Sequence, residues 1–326
     1  MRIGTRASAL ALAQARSIAD ALGGEAEIVT VSTDGDRGLA GGDKARWTSA
    51  LERALLADRI DIAVHSAKDV PARLPDGLEL IAVPARADAR DAICGAPSLA
   101  ALPAGARVGT SSLRRAAQIR ALRPDIEVVA VRGNVDTRLR ALDEGVVDGL
   151  VLALAGLTRL GLAHRAGGIL DELVPAAGQG ALAIEARAGR GEQLASVRRL
   201  ADPLSELCVA AERELIAALG ADCGSAVGAH AVAVDQRAAA VDQRAAAVEE
   251  ASGTSRGECP PGAQRTPGQV LLRAWVGLAD GSAWIADRLA GPPTQVGAAV
   301  AERMLAAGAA ELLGAGAAEL LGGGAP

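Results

Sequence analysis

At 326 residues the chain is long enough for two or three domains, each with its own core. Half of its residues are hydrophobic, yet it holds no Phe, no Tyr and only 3 Trp. Ala, Val and Leu must therefore build the core, and the aromatic stacking that grips single-stranded nucleic acid is all but excluded. A net charge of −5 rules out a general basic surface for nucleic acid, and 4 cysteines without a CxxC pair argue against a structural zinc site or a disulfide framework.

Met1 leads directly into a strand-like start, with no signal peptide and no apolar run long enough to cross a bilayer, so the expected compartment is the cytoplasm. Arg2-Ile3-Gly4-Thr5-Arg6-Ala7-Ser8 precedes an alanine-rich amphipathic helix to about Leu22. A strand is predicted over 27–32, a helix from Trp47 to Asp58, and a buried strand from Asp61 to Val64 that ends at His65-Ser66. This alternation predicts a parallel sheet with crossover helices. The pattern then recurs: Gly109-Thr110-Ser111-Ser112 answers Gly4 to Ser8, and Asp148 to Ala153 answers Asp61 to Ser66.

The fold class expected is α/β: two doubly wound lobes resembling periplasmic-binding-protein domains, plus a smaller α+β C-terminal domain. The first lobe takes 1–86 and 181–200, the second 90–177, with crossings at Pro84 to Asp91 and Pro175 to Gly180. Their ligand ends face each other across a hinged cleft. The third domain, 205–326, starts with a long helix from Leu204 to Leu219, continues through a Gly-rich loop carrying Cys223, and has strands at Ala229 to Val234 and Val270 to Gly277. A last helix runs from Thr294 to Ala307. DQRAAAV occurs twice in a polar insert spanning 235–267, read as a mobile loop, and AGAAELLG occurs twice in the tail; neither period continues, so neither is a solenoid.

The stretch 108–142 is the richest in chemistry. A strand that stops at Gly-Thr-Ser-Ser before a helix offers hydroxyls and free N–H groups to an anion. Arg114 and Arg115 sit in the first helical turn, where the dipole disfavours cations, and Arg132 and Arg138 follow a second apolar run. Arginine forks bind carboxylate or phosphate, at the carboxyl ends of strands where open α/β sheets hold ligands. The expected ligand is small and carries several negative charges; Arg120, Arg123 and Arg140 read as solvated helix-face residues. Of 34 basic residues only Lys44 and Lys68 are lysine, which asks what arginine does not do there. Asp69, in His65-Ser66-Ala67-Lys68-Asp69-Val70-Pro71, is either a general acid/base facing the arginines or the cap of a turn before Pro71. Lys68 beside it is placed to bind an anion and also to lower the pKa of Asp69. His65 reads as a hydrogen-bonded strand-end residue. Cys223 lies on a loop, where covalent attachment is feasible, whereas Cys94 and Cys208 read as small core residues.

RIGTRASALALAQA, DIAVHSAKDVP, GTSSLRRAAQ, VRGNVDTRL, LALAGLTRLGL, PAAGQGALAIE and the loop around Cys223 together resemble the porphobilinogen deaminase (hydroxymethylbilane synthase) family, from Met1 to about Val234 and again from Val270. The resemblance implies a transferase that joins four porphobilinogen molecules head to tail into the linear tetrapyrrole hydroxymethylbilane, releasing ammonia at each step. It implies a dipyrromethane primer held through a thioether at Cys223 and no metal. Asp69 would be the catalytic acid, assisted by Lys68, and would stabilise positive charge developing on pyrrole nitrogens. Lys68, Asp69, Thr110, Ser111, Ser112, Arg114 and Arg115 would hold the cofactor, and Arg6, Ser8, Arg132, Arg138, Arg159 and Gln179 the substrate and growing chain. The expected partner is the small-molecule substrate alone, with a monomeric chain and neither nucleic acid nor membrane. Two departures stand out: Trp47 replaces the family's loop Phe near Lys44, and Ala226 replaces a Pro in the cysteine loop. Without the resemblance, the alternative is a two-lobed binding module for a small polycarboxylate.

Overall fold

The computed structural model describes the backbone of residues 1–32, 45–221, 225–234 and 268–322, and the side chains within these except at 45–47 and 316–322. Cys223, Lys44, the Trp47 side chain, Gly42 and the insert at 235–267 therefore lie outside the described residues.

Two five-stranded sheets repeat one plan. In the first, β1 (Arg2–Thr5), β2 (Glu27–Thr30), β3 (Ile62–Ser66), β4 (Leu78–Ala82) and β10 (Leu182–Arg187) lie in the order β2-β1-β3-β10-β4. In the second, β5 (Asp91–Cys94), β6 (Arg107–Gly109), β7 (Glu127–Val129), β8 (Gly149–Ala153) and β9 (Gly168–Leu170) lie in the order β7-β6-β8-β5-β9. The first three strands of each order run parallel, and β10 and β5 run antiparallel to their neighbours. The alternation in sequence predicts only the parallel part. The antiparallel strand in each sheet is the one that arrives from the other lobe, so it enters from the opposite end.

Crossover helices cover the sheets: α1 (Ala9–Ala21) and α2 (Ala45–Leu56) in the first, α3 (Leu113–Leu122), α4 (Val135–Asp143) and α5 (Leu154–Arg159) in the second. Helix α1 starts where Ser8 accepts from the N–H of Ala11 at 3.3 Å, and α3 where Ser112 accepts from the N–H of Arg115 at 3.5 Å, each side chain taking up an N–H that the first turn leaves unpaired. The cores are aliphatic, with Ile3, Ile62, Val64 and Ile184 in the first lobe and Ile93, Val108, Ile119 and Val151 in the second. The short helix α6 (Ala195–Arg198) closes the first lobe through Val197.

Beyond it, α7 (Pro203–Ala218), α8 (Val296–Ala306) and α9 (Ala309–Gly322) pack on a three-stranded antiparallel sheet of β11 (Val227–Val234), β12 (Gln269–Gly277) and β13 (Trp284–Gly291). The second AGAAELLG copy belongs to α9, which Gly308, in the left-handed region at φ +99°, separates from α8. No helix among the described residues is long and apolar enough to cross a membrane.

The two crossings lie side by side. The N–H of Ala87 donates to the carbonyl of Gly180 at 3.2 Å, and a Cβ at Gly180 would sit 2.4 Å from the carbonyl oxygen of Ala87. At Gly178 a Cβ would lie 2.9 Å from the backbone nitrogen of Lys68. Both glycines have positive φ, so their lack of a side chain is what lets the return crossing press against the Lys68 turn.

Candidate active site

Strand β3 delivers the first half of the site. Its apolar residues Ile62 to Val64 are buried, and the chain leaves the sheet at Ser66, whose Oγ accepts from Gln14 Nε2 at 2.7 Å. One 3-10 turn, Ala67–Asp69, follows before Pro71. Arg213 of α7 fastens the exit, donating from Nη2 to the carbonyls of Pro71 at 2.7 Å and Ala72 at 2.9 Å, and from Nη1 to that of Val70 at 3.4 Å. Asp69 is half-buried and lines an open pocket with Arg6, Ser8, His65 and Ser66. At the strand end, His65 Nε2 lies 3.0 Å from Glu185 Oε2, without the alignment of a hydrogen bond.

The second half comes from α3, and its geometry differs from an open anion cradle. Arg114 and Arg115 are 4% and 5% exposed, because both guanidiniums turn inward to Asp91, which is fully buried. Arg114 Nη2 donates to Asp91 Oδ2 at 2.8 Å and Nη1 to the Val174 carbonyl at 2.6 Å. Arg115 reaches Asp91 Oδ1 from Nε at 3.0 Å and from Nη2 at 2.7 Å, and donates from Nη1 to the Val151 carbonyl at 3.2 Å. Gln179 completes the cluster, donating from Nε2 to Asp91 Oδ1 at 2.7 Å and to the Ala89 carbonyl at 2.6 Å. Burial alone would raise the Asp91 carboxyl, but the two guanidiniums outweigh it and hold it well below the usual carboxylate range. Burial lowers the pKa of Arg114, and its Nε has no partner among the described residues.

The two halves meet electrostatically. The Lys68 amine is pushed down to about 8, by burial first and then by Arg115 and Arg114, while Asp69 and Asp91 oppose the shift. Arg138, with Nε on the Gly133 carbonyl at 2.7 Å, is lowered by burial and by Arg115. Lys68, Arg114, Arg115 and Arg138 thus share one field, offset inside it by Asp91 and Asp69. A buried surplus of positive charge of this kind is stable only beside further negative charge.

The other expected residues spread around this centre. Arg159 donates to the Gly180 carbonyl at 2.7 Å, beside the return crossing. The buried Thr110 accepts from the N–H of Ser112 at 3.2 Å, which commits its hydroxyl to the turn. Ser111 and Arg132 are exposed and form no hydrogen bond with the cluster among the described residues. Asp91 was missed because Arg90-Asp91-Ala92 reads as a polar loop giving way to a strand. The signal for it was present: adjacent arginines in a first helical turn, if buried, need an acid from elsewhere in the chain. Cys94 and Cys208 are buried free thiols, each raised to about 11 by burial first, as small core residues should be.

The sequence model of the family described as porphobilinogen deaminase, dipyromethane cofactor binding domain, matches residues 1–195. The porphobilinogen deaminase of Roseiflexus castenholzii is 49% identical over 246 residues, covering 71% of this chain and 81% of its own length. That of Deinococcus deserti is 42% identical over 328 residues, covering 94% of this chain and 95% of its own. Among solved structures, immunogenic lipoprotein A from Vibrio vulnificus overlaps 61% of this chain and 94% of its own at 14% identity and a TM-score of 0.40, too loosely to add to the topology above. The family match over more than half of the chain and the identity to full-length relatives lead to one conclusion: the chain belongs to the porphobilinogen deaminase family.

Proposed function

We propose that this chain joins four porphobilinogen molecules head to tail into hydroxymethylbilane, with loss of ammonia, in the cleft where Asp69 faces the arginine cluster. The observation that carries this reading is the surplus of cations around Lys68, Arg114, Arg115 and Arg138, with a single acid, Asp69, at the pocket beside it. Each porphobilinogen carries an acetate and a propionate, so a growing chain accumulates the charge that this field lacks. The binding-module alternative explains the cations but leaves Asp69 without a task.

The donor set fits a covalently held dipyrromethane. Lys68 supplies a titratable cation, Ser112 and Ser111 stand at the start of α3, and Arg114 and Arg115, with forks committed to Asp91, act through their field and through the unpartnered Nε of Arg114. Cys223 would carry the thioether. When bound, that group supplies the pyrrole end to which substrate is joined. Arg6, Ser8, Arg132, Arg138, Arg159 and Gln179 would orient the carboxylates of substrate and product, Gln179 by holding Asp91 in place. Asp69 would stabilise positive charge on the pyrrole nitrogens and assist departure of ammonia. We assign three domains, 1–86 with 181–200, 90–177, and 205–326, in a monomeric cytoplasmic enzyme that engages no nucleic acid or membrane.

Intact mass tests the reading directly. Protein purified from cells should exceed its chain mass by one dipyrromethane, and Cys223→Ser should remove the excess; a bare chain mass in the unsubstituted protein refutes the covalent primer. Asp69→Asn should keep the mass excess and the fold while turnover falls by about a hundredfold or more, and a near-normal rate removes Asp69 from the chemistry.

A further inference from the structure

Beneath the pocket lies a second group of ionisable side chains that the reading above does not use. Glu185, on β10, is fully buried, and Glu52 and His65 are each 5% exposed. The register pairs Ala183 with His65 and Glu185 with Ala63, so His65 and Glu185 are diagonal neighbours on one face of the sheet. Helix α2 covers that face through Leu51, Ala54 and Leu55, and it presents Thr48 and Glu52, one turn apart. Neither oxygen of Glu185, nor Glu52 Oε1, nor Thr48 Oγ1 has a hydrogen-bond partner among the described residues. A carboxylate with both oxygens unpaired in a dry interior is costly unless charge nearby compensates it.

Two basic side chains bear on it. One is His65, whose Nε2 lies 3.0 Å from Glu185 Oε2. The other is Arg213, which feels the Glu185 charge while its own N–H groups hold the carbonyls of Val70, Pro71 and Ala72. His65 lies four residues before Asp69, and those carbonyls begin one residue after it. The stretch that carries the acid is thus flanked by the neighbour of this carboxylate on one side and by the Arg213 fork on the other. Behind it, the Glu52 carboxyl is raised, by burial first and also by Glu185. Among the described residues, the ionisable groups near His65 are Glu185 from β10, Glu52 from α2, and Arg6 and Asp69 across the pocket.

We infer that Glu185 is a positioning residue for Asp69, acting through His65 on one side of the acid and Arg213 on the other. The contact of Glu185 with His65 and the fork of Arg213 together set how firmly the Ser66 to Ala72 stretch is held. The inference rests on Asp69 being the catalytic acid.

The test uses the full-length enzyme carrying its primer, with loading confirmed by intact mass, and measures kcat and KM for Glu185→Gln, His65→Asn and the double variant. Glu185→Gln keeps the shape and removes the carboxylate. Its kcat should fall by about a hundredfold, the scale of a misplaced reacting group, with KM within about twofold. His65→Asn should show the same split, and the double variant should lose little more than either single one, since both substitutions break one contact. A KM that rises as kcat falls, or losses that add in full in the double variant, leaves Glu185 a merely structural residue and overturns the inference. If Glu185→Gln fails to fold, Arg213→Lys keeps the charge and loses the fork on three carbonyls. It should lower kcat while leaving KM within about twofold, and an unchanged kcat overturns the inference equally. An inactive Asp69→Asn beside an unaltered Glu185→Gln kcat defeats this inference alone, whereas an active Asp69→Asn defeats the reading beneath it.

Discussion

Lys68 answers the question its rarity raised. In a chain that uses arginine for 32 of its 34 basic residues, the position beside the acid is held by the one cation able to give up its proton near neutral pH. An arginine there would stay charged at any accessible pH. The amine, ordinarily at 10.5, sits at about 8 because burial, Arg115 and Arg114 all disfavour its charge. The sign for folding follows from linkage. Between about 8 and 10.5 the unfolded chain holds this proton and the folded chain does not, so stability rises with pH across that window. The sign for binding is opposite, since a neutral amine attracts no carboxylate. For the unsubstituted enzyme kcat/KM should fall as pH rises through about 8, and in Lys68→Arg that fall should be absent. A pH series of initial rates decides it, and an identical fall in both proteins assigns the titration to another group.

At the scale of elements, the junction of β5 with the first turn of α3 is a buried charge lock. Asp91 receives three guanidinium hydrogen bonds and one from Gln179. Removing it leaves two desolvated arginines without a counter-charge, which costs about 3–5 kcal/mol. Asp91→Ala should therefore lose that much stability in denaturant unfolding. Arg107→Ala, which breaks an exposed pair with Asp148 at 3.4 Å, should lose no more than about 1 kcal/mol, and equal losses would mean the lock carries no special weight. The same junction shows where sequence is legible. Ser8 and Ser112 announce their helices because a cap acts on its own next turn, and β1, β3 and α7 are read within a few residues because apolar periodicity is local. Strand β13, WIADRLAG, has no clean alternation and is recognised only through its pairing with β12. Asp91 and Glu185 look like ordinary surface acids in sequence; their burial is decided by partners distant in the chain, Arg114 for one, 23 residues on, and for the other His65 on the neighbouring strand. The inward turn of Arg114 and Arg115 onto Asp91 is illegible in sequence for the same reason.

For the whole molecule, the three sheets are tied at one side chain. Glu212 of α7 is fully buried and accepts from four donors. Arg86 in the outgoing crossing donates from Nη1 at 2.6 Å and Nη2 at 3.1 Å, Gly178 in the return crossing donates its N–H at 2.7 Å, and Ala231 on β11 donates its N–H at 2.7 Å. A cleft that must admit a lengthening product needs lobes that move about their crossings without parting from the third sheet, and a carboxylate shared by both crossings and β11 provides that anchor. In Glu212→Gln one acceptor becomes a donor and faces N–H groups, with the Arg86 charge left unpaired in the interior. Thermal stability should fall, and amide exchange at Gly178 and Ala231 should accelerate far more than at Ile93 and Val151 in the core of the second lobe. Should all four amides accelerate by the same factor, the loss is global, and Glu212 stabilises the fold without anchoring the crossings.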